Sequence, residues 1–163
     1  MKHLNPKRFV FVGERPSRTA VRRGWTWRDG HLAAKTLHEA LKRNGINPAE
    51  QEYVNLFGED CEHDADVVEI TERIQVIRRL IGRGYTAVGM GRRVCKRLGE
   101  SGVSHFALRH PAARGRLRRR ELYITHVRQT LAPCEMERKA AGNKSSSPTA
   151  RWQATKKGLE ITS

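Results

Sequence analysis

Short apolar runs, too brief for helices, alternate along this chain with segments whose apolar residues recur at helical spacing, and that alternation leaves few folds open. The first run, Arg8-Phe9-Val10-Phe11-Val12-Gly13, is apolar without a break and closed by glycine, as suits a parallel strand buried on both faces. Leu32 to Arg43 then places Leu32, Ala33, Leu37, Ala40 and Leu41 on one helical stripe, and Asn44-Gly45 with Pro48 ends it. Glu52 to Phe57 is β-branched and aromatic, and Gly58 closes it before an acid-rich segment that reads as a solvated loop. A second stripe, Val67 to Gly82, runs through Ile70, Ile74, Ile77, Leu80 and Ile81. Tyr85 to Gly89 reads as a third strand, Arg92 to Gly99 as a basic helix, Val103 to Leu108 as a fourth strand, and Arg119 to Leu131 as a closing helix.

Strands alternating with helices predict an α/β fold: a three-layer α/β/α sandwich around a central four-stranded, mainly parallel sheet. A length of 163 residues suits one domain with a short appendage. Apolar periodicity vanishes from Pro133, and Lys144-Ser145-Ser146-Ser147-Pro148 is of low complexity, so the expected division is a domain over 1–134 and a basic, disordered tail over 135–163.

Lys and Arg number 32 against 17 Asp and Glu, a formal charge of +15, which points to an extended polyanion as partner, DNA before an acidic membrane. No stretch approaches the roughly 20 apolar residues of a membrane span, and the first residues lack a signal-peptide core. A monomer in the cytoplasm, or associated with the nucleoid, is the expectation. Cys61, Cys95 and Cys134 are an odd count at unequal gaps, unlike a disulfide framework or a ligand set, and reduced thiols are expected. Cys61, His63, Asp64 and Asp66 have ligand-type side chains but no familiar metal spacing.

In open α/β sheets ligands bind beyond the carboxyl ends of the strands. There this chain places Gly13-Glu14-Arg15-Pro16-Ser17, then Asn55, then Gly89-Met90-Gly91-Arg92, then His110-Pro111. A carboxylate, an amide, a glycine turn and an imidazole are thus expected to converge. Each has an ordinary reading as well: a surface acid, a strand-end cap, a turn, a loop shaped by proline. Trp25 and Trp27 also fit a role in covering the core or stacking on guanidinium groups. The ordered set is what carries weight.

In that order the residues resemble the uracil-DNA glycosylase superfamily, nearest its iron-sulfur branch, over about residues 8 to 131. Gly13-Glu14-Arg15-Pro16-Ser17 is similar to the branch's Gly-Glu-Ala-Pro-Gly motif, and Trp25-Thr26-Trp27-Arg28-Asp29-Gly30 to its Phe-Val-Gly-Arg-Ala-Gly stretch. Tyr53-Val54-Asn55 is similar to the strand ending in the base-reading asparagine, and His110-Pro111-Ala112 to the His-Pro-Ser or His-Pro-Ala motif. The branch's cluster cysteines have no counterpart, so no cluster and no cofactor is expected.

The resemblance implies catalytic roles for Glu14 and His110, and base binding by Gly13, Trp25 as the stacking ring, and Asn55. It implies DNA contacts from Arg15, Ser17, Gly91, Arg92, Arg114, Arg116 and Leu117, with Leu117 or Arg114 plugging the duplex. The implied activity is hydrolysis of the N-glycosidic bond of uracil, or of a related modified base, flipped out of single- or double-stranded DNA. Residue chemistry accords with it: a carboxylate beside developing positive charge on the sugar, a donor beside the departing anion, and an amide able to pair with a base edge. Arg15 and Ser17 stand where the family has other residues. That difference motivates two alternatives, an inactive member that binds DNA or a modified base, and a glycosidase acting on free nucleosides or nucleotides.

Overall fold

The computed structural model describes residues 8–60, 63 and 65–133. Phe9–Gly13 (β1), Glu52–Asn55 (β2), Thr86–Met90 (β3) and Phe106–Leu108 (β4) form one sheet in the order β2-β1-β3-β4, with every neighbouring pair parallel. Among the described residues five α-helices accompany it: Arg18–Arg23 (α1), Ala33–Arg43 (α2), Val67–Gly82 (α3), Arg92–Glu100 (α4) and Arg120–Leu131 (α5). The molecule is thus α/β, compatible with three layers. Contacts divide the chain after Leu131; of the second unit, Ala132–Ser163, only Ala132 and Pro133 are described, so the expected tail lies outside the described residues.

Strand alternation explains why β1 is apolar throughout. Val10 and Val12 join a core with Ala87 of β3, Ile70, Ile74 and Ile77 of α3, and Val94 and Leu98 of α4. Phe9 and Phe11 take the opposite face. Phe11 stacks on Tyr53 of β2 at 5.8 Å, and Tyr53 in turn meets His38 of α2 at 5.6 Å. α2 is tied to α5 through Asn44, whose Nδ2 donates to the Ile124 carbonyl at 3.2 Å and whose Oδ1 accepts from Arg128 at 3.0 Å. Truncating a fully buried residue such as Ile77 to alanine costs about 2–5 kcal/mol in cores of this kind.

α3 has the expected limits, and Asp66 shows why: its carboxylate accepts from the Glu69 amide at 2.7 Å, capping the first turn. The acid-rich segment is therefore only partly a loop, since Glu69 and Glu72 belong to α3. The fourth strand is shorter than expected because the Val103 amide bonds back to the Leu98 carbonyl at 2.9 Å, closing α4 before the chain extends at Phe106. β2 ends at Asn55, yet Leu56 and Phe57 still donate to the carbonyls of Gly13 and Glu14, both at 2.9 Å. Gln51, 1% exposed, seals the start of β1: its Oε1 accepts from the Phe9 amide at 2.7 Å. Among the described residues no helix is long and apolar enough to cross a membrane.

Candidate functional site

The carboxyl ends of the strands open onto a cleft of about 640 Å³, whose walls include Arg15, Ser17, Trp25, Trp27, Tyr53, Asn55 and His110. Gly13 and Asn55 are register partners; Asn55 lines the cleft, and Gly13 lies at the same level beneath the Trp27 ring. Gly91, at φ +99°, turns β3 into α4; its amide bonds to the Leu108 carbonyl at 2.8 Å, and a Cβ there would sit 3.8 Å from the Cβ of His110. Strand ends that are distant in sequence therefore meet.

Trp27 dominates the floor. Its Nε1 donates to Asn55 Oδ1 at 2.8 Å, its ring lies 9° from parallel to Tyr53 with centroids 6.3 Å apart, and His110 stands edge-on to it at 6.0 Å. The approach is close enough that a Cβ on Gly13 would lie 2.9 Å from Trp27 Cζ2, so only glycine fits beneath the indole. Thr26 and Asp29 hold the turn rigid: the Thr26 amide and hydroxyl donate to Asp29 Oδ2 at 2.6 and 2.8 Å, and these bonds keep the Asp29 carboxyl below its ordinary pKa. Trp25 also lines the cleft but packs against His31 with ring centroids 4.1 Å apart and planes tilted by 31°, with Arg23 at 5.6 Å on its ring. The ring over Gly13 and Asn55 is Trp27.

His110 Nδ1 accepts from the Ala112 amide at 3.1 Å. A backbone N–H can only donate, so Nδ1 is unprotonated and the imidazole proton sits on Nε2. Burial lowers the pKa of His110, against an opposing influence from the Glu14 charge, so the neutral form is favoured. Here the structure brings two of the expected residues within electrostatic reach of each other. Glu14 itself lies at the rim, absent from the cleft wall, and its Oε1 accepts from Arg93 Nη1 at 2.9 Å. Arg93, on α4, also covers the Phe57 ring at 4.4 Å.

Ser17 caps α1, accepting from the Ala20 amide at 3.2 Å. Arg92 opens α4 and is exposed. Arg114, Arg116 and Leu117 lie outside the cleft wall, on the segment after His110, where Arg116–Arg118 makes one 3-10 turn; both arginines are exposed and Leu117 is half-buried. Among the described residues no group of three or more His, Cys, Asp or Glu is placed to hold a metal ion, and Cys61, Asp64 and Cys134 lie outside those residues. Cys95 is a free, half-buried thiol whose pKa is raised by burial.

The sequence pattern does not single out Trp27, which bonds to Asn55, or Arg93, which bonds to Glu14. An indole five positions before the α2 stripe carries no signal of where it points, although the glycine-closed strand was a cue that something must press on Gly13. Neither a protein-family model nor a curated protein matches this chain.

Proposed function

We propose that the chain is a DNA glycosylase without cofactor, hydrolysing the N-glycosidic bond of uracil or a related modified base swung out of DNA. One observation carries the reading: an amide suited to a base edge, Asn55, and a neutral imidazole with its proton on Nε2, His110, share one cleft walled by aromatic rings. A four-stranded parallel sheet flanked by helices is also the frame that the resemblance to the uracil-DNA glycosylase superfamily implies. The charge of +15 supplies attraction to phosphate, with DNA as partner to a monomer in the cytoplasm or nucleoid.

In the proposed reaction the bond between C1′ and the base nitrogen breaks with its electron pair leaving on the base. His110 Nε2–H donates toward the base oxygen where that charge gathers, and a donor aimed at developing charge is the larger part of such catalysis. Glu14, at the rim of the cleft, meets the sugar as it becomes cationic and takes a proton from the water whose oxygen bonds to C1′; that proton passes through solvent to the released base anion. Arg93 fixes the direction of the Glu14 carboxylate.

The test is base release: purified protein incubated with oligonucleotides carrying uracil, hydroxymethyluracil, hypoxanthine or xanthine, followed by alkaline cleavage of abasic sites. Release that falls about 100-fold or more in Glu14→Gln and His110→Ala is expected. The absence of release from every one, single- or double-stranded, removes the enzyme. The Glu14–Arg93 ion pair favours a second reading, a silent binder whose carboxylate is occupied structurally; DNA binding unchanged in both variants, with no release by the parent, selects it.

A further inference from the structure

An indole N–H donates and has no capacity to accept, so the Asn55 atom facing Trp27 Nε1 at 2.8 Å is the amide oxygen. This fixes which way round the carboxamide lies, a choice that shape alone leaves open. The same oxygen sits 3.1 Å from the point where a Gly13 side chain would begin, pressed against the end of β1. Asn55 is 9% exposed, and its Nδ2 makes no hydrogen bond with the described residues, nor is it sealed off from solvent. The edge it leaves to the cleft is therefore the NH2.

We infer that Trp27 determines specificity: by holding the Asn55 oxygen, it makes the site read an acceptor on the base and leave the neighbouring ring position unread. The inference rests on the base-binding reading above and names its substrate class. An amide with both ends free pairs with a carbonyl and the adjoining N–H of uracil together, and discriminates against a ring that lacks that N–H. With one acceptor site of its oxygen taken by the indole and that oxygen packed over Gly13, the amide presents chiefly its NH2, which donates to any heterocycle bearing a carbonyl oxygen or an unprotonated ring nitrogen. The cleft, at about 640 Å³, is within the size range of sites that hold whole drug-sized ligands, so purines and substituted pyrimidines fit the same description.

Trp27 is well placed to impose this. The Thr26–Asp29 bonds fix its turn, and Tyr53 and His110 bracket its ring. A phenylalanine at position 27 keeps an aromatic ring there and removes only the donor, which releases the amide to turn.

The experiment measures equilibrium binding of the full chain to single-stranded oligonucleotides, so that base-pairing energies do not enter. Each strand carries one 2′-fluorinated nucleotide resistant to hydrolysis, bearing either uracil or 2-pyrimidinone, whose ring nitrogen is an acceptor; a third strand carries an abasic analogue. Both bases are expected to bind tighter than the abasic strand and within about threefold of each other, and Trp27→Phe, folded by circular dichroism, to favour uracil by about tenfold. Uracil preferred about tenfold by the parent protein overturns the inference and leaves the base-binding reading standing. A ratio unchanged in folded Trp27→Phe also overturns it. If neither base improves on the abasic strand, the base-binding reading falls, and this inference with it.

Discussion

Arg73 Nη1 donates to the main-chain oxygen of Asn55 at 2.8 Å, so the strand end that carries the amide is held from the helix behind it. The same guanidinium reaches Glu69 at 2.5 Å and Glu59 at 3.4 Å, and its side chain is 18% exposed. Acidic residues near a surface expected to meet phosphate thereby acquire a local role: they neutralise the cation that braces the site.

Removing that brace has a measurable cost. Arg73→Met is expected to lower the unfolding free energy by about 1.5–3 kcal/mol, the range for hydrogen bonds to charged groups, read by urea denaturation. Glu59→Gln, which touches the most exposed arm of the cluster, is expected to change it by less than about 0.5 kcal/mol. Equal effects from the two would show that the Asn55 contact contributes nothing.

Gly13→Ala places a Cβ 2.9 Å from Trp27 Cζ2 and 3.1 Å from Asn55 Oδ1, with rigid groups on both sides. The indole has to move, breaking its bond to Asn55. A destabilisation of about 1–3 kcal/mol is expected, together with a changed tryptophan emission spectrum. A spectrum and stability like the parent's would mean that the ring was never seated on this glycine.

His38, His110 and His126 all have pKa values lowered from 6.5, burial being the largest cause in each. Between the folded values and 6.5 the unfolded chain binds more protons than the folded one, so stability rises with pH there. It is expected to be fullest above pH 6.5 and to fall as acidification passes through 6.5 toward the folded values, in melting temperatures taken across pH 5 to 8 at constant salt. A melting temperature that rises on acidification over that window contradicts the burial of these rings.

The Glu14 charge is the one influence raising the His110 pKa. Glu14→Gln is therefore expected to push that pKa further down, followed by NMR titration of the imidazole. No shift would mean that carboxylate and ring do not sense each other.

For the DNA partner proposed above, affinity is expected to fall linearly on a log-log plot against salt. Arg114→Ala and Arg116→Ala each should reduce the slope by about one if their side chains meet phosphate. Fluorescence anisotropy with a labelled duplex measures it. Slopes equal to the parent's place those arginines away from the backbone.

Much of the scaffold could be read in the chain itself, since buried parallel strands announce themselves as unbroken apolar runs and α3 repeats its isoleucines at helical spacing. Gly13, Asn55 and His110 are legible for the same reason: the first two end strands and the third follows one, and strands fix position. Trp27 is not, because a residue in an arginine-rich turn owes its direction to the Thr26–Asp29 bonds and to the space over Gly13, neither of which is periodic. Arg73 and Arg93 looked like solvent-facing cations on helices. Only tertiary structure turns one toward a main-chain carbonyl and the other toward Glu14. The short α1 carries no apolar stripe that would mark it in the sequence; none of its residues is buried.

The pairing of Gly13 with Asn55 across β1 and β2 has a bearing on how this chain tolerates lengthening or shortening. Because side chains alternate sides along a strand, deleting one residue within Glu52–Asn55 would send the amide to the far face and bring Val54's side to the cleft. An insertion at the amino-terminal rim, at Gly84 ahead of β3, lies at the end of the sheet away from the cleft. Variation in length should therefore gather at one end of the sheet and be excluded from the other.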